Sequence, residues 1–191
     1  MISPANNLSM DQPRKHQRTW NLFYCTCLLL VVFAAMAASH DDRADTTTVI
    51  LVRHAEKAVV QGDDPPLSDI GRKRAAALRH ALEKAGVTAI YATQYQRTQQ
   101  TVEPLAKSTR LSVTRIDATR TESLVAEIRR KHRGETVLIA GHSNTIPGII
   151  KALGVANTPT IADSDYDDLF VLTIPKPGPT RILHLQYRAT D

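Results

Sequence analysis

Two short runs, Val49–Val52 (VILV) and Val137–Ala140 (VLIA), contain only apolar side chains, and each stops at a histidine-bearing end: Arg53-His54 after the first, Gly141-His142 after the second. A strand with one face in water alternates apolar and polar residues. These runs do not alternate, so both of their faces must be covered. That requirement points to a mostly parallel sheet with helices on either side.

The rest of the chain supports this reading. After the first run, "GDDPPLSDIG" carries the prolines and glycines of a loop. Ser68 or Asp69 is placed to cap a helix that Gly86 ends, with Ala75, Leu78, Leu82 and Ala85 at helical spacing. A second strand is expected over residues 89–93 and a helix around 97–107. A third strand is expected over 111–116, then a helix using Leu124, Val125 and Ile128. The fourth strand covers 136–142, with the helical segment "TIPGIIKALG" after it. "LFVLTIP" and "TRILHLQYR", joined by "KPGP", read as a closing hairpin. The expected fold is α/β: a three-layer α/β/α sandwich over residues 47–191.

The first forty residues have a different composition. Arg14, Lys15 and Arg18 precede an uncharged apolar stretch from Leu22 to Ala38 that ends in Ala35-Met36-Ala37. A basic flank, an apolar run and small residues at its end are the layout of a secretory signal peptide over residues 1–37. An uncleaved anchor is the competing reading, because the run is near the ~17 residues that can span a bilayer. Residues 38–46 read as a linker. The expected location is exported, periplasmic or secreted, or anchored with the domain outside the cytoplasm. Membrane contact is expected only through an uncleaved leader. Both cysteines, Cys25 and Cys27, lie in the leader, so residues 47–191 have no thiol nucleophile. The chain's net charge is +5. Its basic groups are interspersed with acidic ones, which gives no stripe for a nucleic acid but suits a small anionic substrate. No feature of the sequence sets an oligomeric state.

Parallel sheets present ligands beyond the carboxyl ends of their strands. Arg53, His54 and His142 stand at two such ends. Arg97 follows the second strand, in or just before the first turn of a helix, where backbone N–H groups also attract anions. Two histidines and two arginines make a site for a tetrahedral anion, since the guanidinium fork matches phosphate oxygens.

At this point the ordered set "LVRHAEK", "PLSDIGRKRAAAL", "IYATQYQRTQQT" and "VLIAGHSNT" resembles the histidine phosphatase superfamily, in the branch containing the cofactor-dependent phosphoglycerate mutases. More narrowly, the chain looks like its small exported bacterial members. The resemblance implies a phosphatase acting on phosphomonoesters without metal or cofactor. His54 would attack phosphorus and carry the phosphoryl group. Arg53, Arg97 and His142 would bind its oxygens, with Ser143 beside them. The family's proton donor is a glutamate after the third strand, a place that Glu122 approaches, with Glu56 and Asp117 as rivals. Two departures are visible: Ala55 stands where glycine is frequent, and an asparagine often found shortly after it has no counterpart.

Three other readings remain open in the residues. "AGHSNT" is similar to a serine nucleophile elbow, with Ser143 as nucleophile, His184 as base and Asp163 or Asp165 as partner, although Thr145 replaces the last glycine. His54, His142, Asp63 and Asp64 include zinc-type ligands but lack a ligand spacing such as HExxH. Finally, a domain with this anion pocket can bind a phosphorylated ligand with weak turnover or none. The small size of the domain makes mutase activity the lesser expectation within the family. "GDDPP" and the acidic segment 161–170 are its expected rims.

Overall fold

The computed structural model describes residues 46–188, which fall within one compact unit. The leader or anchor over 1–37, its two cysteines and nearly all of the linker lie outside the described residues. No described helix is long and apolar enough to cross a membrane.

The chain runs β1 (Thr47–Arg53), α1 (Asp69–Leu82), β2 (Val87–Thr93), α2 (Gln96–Thr109), β3 (Val113–Ile116), α3 (Thr121–Lys131), β4 (Thr136–Gly141), α4 (Ile146–Ala152), β5 (Asp168–Ile174) and β6 (Arg181–Gln186). The strands form one sheet in the order β3-β2-β4-β1-β5-β6. The first four are mutually parallel, while β5 runs antiparallel to β1 and β6 antiparallel to β5. β1 and β4 pair in register from Thr48 with Thr136 to Arg53 with Gly141. The two apolar runs are therefore neighbours at the centre, and both histidine ends emerge together.

Why those runs do not alternate is visible in the core. Val49 and Leu51 of β1, with Val137 and Ile139 of β4, pack on the face covered by α3 and α4, against Leu124, Ile128, Ile146 and Ile150. Ile50 and Val52, with Leu138 and Ala140, pack on the opposite face against Leu78, Leu82, Val102 and Leu105 of α1 and α2. Every position along a strand faces a helix layer, so every position is apolar. Fully burying each of these aliphatic side chains contributes roughly 1.5–3 kcal/mol.

Local signals hold with small shifts. Ser68 is the N-cap of α1, and its hydroxyl accepts from the Gly71 N–H. The helix stops at Leu82, and Gly86 turns the chain into β2 with φ of 68°. Ala85 therefore lies beyond the helix and is exposed rather than part of its apolar face. β2 begins at Val87, earlier than the sequence suggests, and β3 begins at Val113, later, because Arg110 adopts a left-handed conformation and Leu111 completes the end of α2.

Candidate active site

The carboxyl ends of β1, β2 and β4 bring Arg53, His54, Thr93 and His142 together, all buried despite their polarity. His54, Arg97, His142 and Ser143 line an open cavity of about 420 Å³, with Tyr95, Ala118 and Thr119 on its walls. The rings of His54 and His142 meet edge to face, centroids 5.3 Å apart.

The state of His54 follows from one contact. Its Nδ1 lies 2.8 Å from the Ala55 carbonyl oxygen. A carbonyl only accepts, so Nδ1 carries the proton and Nε2 is left with its lone pair. Burial pushes the His54 pKa down to about 3. The Ala55 bond opposes that shift, and the charges of His142, Arg97 and Arg53 add to it. The ring is thus neutral at pH 7. The loop that carries it is fixed by Thr101, whose hydroxyl accepts from the Ala55 N–H at 2.9 Å and donates to the Arg97 carbonyl at 2.7 Å.

His142 is set by a chain of hydroxyls. Thr98 Oγ1 is 2.8 Å from the Tyr95 carbonyl and 3.1 Å from that of Thr93, so its single proton goes to a carbonyl. In the 2.8 Å contact between Thr98 and Thr93, Thr93 must then donate. With that proton spent, the 2.9 Å contact between Thr93 Oγ1 and His142 Nε2 requires the histidine to donate. Burial first, then Arg97 and Arg53, lower the His142 pKa to about 4, so a neutral His142 keeps Nδ1 bare.

Both arginines are oriented by aromatic rings. Arg97 stacks its guanidinium 4.3 Å from the Tyr95 ring centroid, and its Nη1 is 3.7 Å from Asp64. Asp64 in turn accepts from the Gln96 N–H at 2.8 Å. Arg53 stacks 4.2 Å from the Tyr166 centroid. Its Nη1 donates to the carbonyls of Ala162 and Asp165 at 2.8 and 3.2 Å, which ties the acidic rim loop to the site. Both Nε groups are buried and have no hydrogen-bond partner among the described residues. Such donors are costly to leave unmade and fit an oxyanion ligand.

The three carboxylates considered as donors sit apart from this cavity. Glu56 accepts from Arg74 at 2.6 to 2.9 Å through both of its oxygens, bracing the loop after His54. Asp117 is exposed, and its bonds from the Thr119 hydroxyl and N–H hold its carboxyl below the usual carboxylate range. Glu122 is exposed and lines a neighbouring cavity with Arg120, Thr121 and Gly148.

Nor are the serine-elbow residues brought together. Ser143 follows β4, whereas His184 lies on β6, with β1 and β5 between them in the sheet. His184 is paired instead with Asp168 at 2.6 Å. Ser143 Oγ reaches Asp163 at 3.4 Å. Asp163 also lies 3.7 Å from Arg53 Nη2, while Asp165 caps its own loop by accepting from the Ala162 N–H. Asp63 is exposed on the loop before Asp64. Among the described residues no group of three or more His, Cys, Asp or Glu side chains is arranged for a metal.

Sequence reasoning did not identify Thr93, Thr98, Tyr95 or Tyr166. Thr93 had a usable signal, since it ends a strand just as Arg53 and Gly141 do. Tyr166 had only its place in a rim loop.

Residues 49–119 match the sequence model of the Histidine phosphatase superfamily (branch 1). An 8-oxo-(d)GTP phosphatase from Mycolicibacterium smegmatis is 43% identical over 68 residues, which is 33% of this chain and 21% of that protein. The chain thus spans about a fifth of the length of this curated relative. Among solved structures, the protein histidine phosphatase SixA complexed with tungstate superposes with a TM-score of 0.60 at 17% identity, covering 73% of this chain and 96% of that one. A mycobacterial glucosyl-3-phosphoglycerate phosphatase with inorganic phosphate gives 0.61 at 19% identity, covering 74% and 98%. The likeness to these two structures is one of fold. The match to the superfamily's sequence model covers the segment that holds Arg53, His54 and Arg97.

Proposed function

We propose that the chain is a phosphatase that hydrolyses phosphomonoesters through a phosphoryl group carried on His54. The observation that carries this is the unprotonated Nε2 of a buried, neutral His54, set in one cavity with Arg97 and His142 and directly after Arg53 in sequence. Nε2 attacks phosphorus as the bond to the leaving oxygen breaks. Arg53 and Arg97 hold the equatorial oxygens and stabilise their charge, usually the largest contribution to such a transfer. Water then attacks phosphorus, the P–N bond breaks, and inorganic phosphate leaves with His54 neutral again. Splitting one displacement into two is the gain of nucleophilic catalysis. The named residues supply the nucleophile and the oxyanion contacts of this route, and the leaving oxygen departs as an anion that takes its proton from water. The leader over residues 1–37 is read as directing the domain out of the cytoplasm.

A second reading, a phospho-ligand-binding domain with weak turnover, draws on one observation: among the described residues no carboxylate lines the His54 cavity. p-Nitrophenyl phosphate tests the two, because nitrophenolate departs without a protonated donor. Turnover of that substrate that is lost in His54→Ala supports the phosphatase. Tight tungstate binding without turnover supports the binding domain.

A further inference from the structure

A second cavity, of about 550 Å³, lies at the other end of the sheet, beside Thr47 and Ile174. These residues pair at the start of β1 and the end of β5. The His54 cavity opens where β1 finishes, so the length of the strand, about 20 Å, separates the two. Volume in this range is typical of small-molecule sites.

The chemistry of the lining is restricted. Its apolar surface is offered by Ile174, Pro175 and Pro179, with Ile128 and Leu153 packed in the core beneath, and its cations are Arg129, Arg133 and Lys176. Among the described residues no acidic side chain lines it, and none of these three cations forms an ion pair. Arg129 donates to the Ala152 carbonyl at 2.9 Å, and Arg133 to the Arg129 carbonyl at 3.2 Å, which holds both guanidiniums along the rim. The two lining hydroxyls are already used within the fold. Thr47 Oγ1 donates to the His132 carbonyl and accepts from the Gly134 N–H. Thr180 Oγ1 donates to the Leu153 carbonyl at 2.7 Å. No aromatic ring among the described residues lines the cavity. A sugar would find no free side-chain hydroxyl here, and a base no aromatic ring, among the described residues. What remains is a localised positive charge beside an aliphatic surface.

We propose that this cavity binds one anionic amphiphile, with its head on Arg129, Arg133 and Lys176 and its aliphatic body over Ile174, Pro175 and Pro179. Burial of the aliphatic part drives binding, and the three cations select the sign of the head.

Isothermal titration of the full chain with dihexanoyl phosphatidylglycerol, kept below its micelle concentration, tests this. The expected result is saturable binding of one molecule per chain. It should weaken at least tenfold in the charge-reversed Arg133→Glu/Lys176→Glu chain, whose fold is checked by circular dichroism. Dihexanoyl phosphatidylcholine, with the same tails and no net charge, should bind at least tenfold more weakly, and so should glycerol phosphate, which has no tails. Saturating tungstate should not displace the lipid. Equal binding of the choline lipid, equal binding of glycerol phosphate, or displacement by tungstate would each overturn the proposal. The last would move the ligand to the His54 cavity.

Discussion

His54 and His142 come from the two central strands and meet with ring centroids 5.3 Å apart, yet their proton-bearing nitrogens point to different partners: His54 Nδ1 to the Ala55 carbonyl, His142 Nε2 to Thr93. Each neutral ring is left with one bare nitrogen. On His54 that nitrogen is the proposed nucleophile. On His142 it can donate to a phosphate oxygen only after taking up a proton.

Binding of a phosphate-like oxyanion at pH 7 should therefore be accompanied by proton uptake. The anion opposes the effects of Arg97 and Arg53 that help keep His142 neutral, and so raises its pKa from about 4. Calorimetry with tungstate in buffers of different ionisation enthalpy measures the uptake. Thr93→Val, which removes the hydroxyl that fixes the tautomer, should reduce it. No dependence on buffer would mean that His142 does not become a donor.

Stability should depend on pH in a defined direction. Both histidines have folded pKa values below the ordinary 6.5, about 3 for His54 and about 4 for His142. Between 6.5 and those values the unfolded chain binds more protons than the folded one. Their contribution is complete above pH 6.5 and is lost as pH falls towards 4 and then 3. Thermal unfolding of the wild type should thus fall more steeply over this window than that of His54→Gln/His142→Gln.

Arg97→Ala should lose about 3 kcal/mol of transition-state stabilisation, comparable to removing one oxyanion donor, while keeping its fold. Vanadate should inhibit the wild type and EDTA should not. Activity removed by EDTA and restored by zinc would contradict the proposed route.

Gly71 carries a different kind of constraint. A Cβ at this position would lie 2.1 Å from the Glu56 carbonyl oxygen, so Gly71→Ala must displace the start of α1 or the loop after His54. The neighbouring Glu56–Arg74 pair is held at 2.6 Å with both side chains mostly buried. Arg74→Ala leaves a carboxylate buried without its partner, at a cost of about 3 kcal/mol. Denaturant unfolding should detect both changes, and Glu56→Gln/Arg74→Met should be less destabilised than Arg74→Ala alone.

How far the sequence could be read depended on whether a signal was local. The two uninterrupted apolar runs placed Arg53, His54 and His142, because burial on both faces determines composition residue by residue. Arg97 followed from its place beside the second strand's end. Tyr166 was not legible, because its stack on Arg53 depends on how a loop more than a hundred residues later folds back. The hydroxyl chain from Thr98 to His142 was hidden for the same reason: threonines in strands and helices are usually ordinary. The third-strand region was less legible. Proximity in sequence brought Glu122 near the expected donor position, but α3 begins at Thr121 and directs that side chain to a neighbouring cavity.

Glu122→Gln should accordingly change turnover less than twofold. Aryl phosphates should be cleaved much faster than alkyl phosphates, since among the described residues no carboxylate lines the His54 cavity to protonate a poor leaving group. A large loss in Glu122→Gln, greater for alkyl substrates, would instead make that residue the proton donor.

The most direct measurement is a chemical quench during turnover of a radiolabelled phosphomonoester, followed by peptide mapping at alkaline pH. The account predicts a base-stable, acid-labile phosphoryl group on the peptide containing His54, absent from a folded His54→Ala chain that has also lost turnover. Wild-type turnover by that variant, or label found on Ser143, would contradict it.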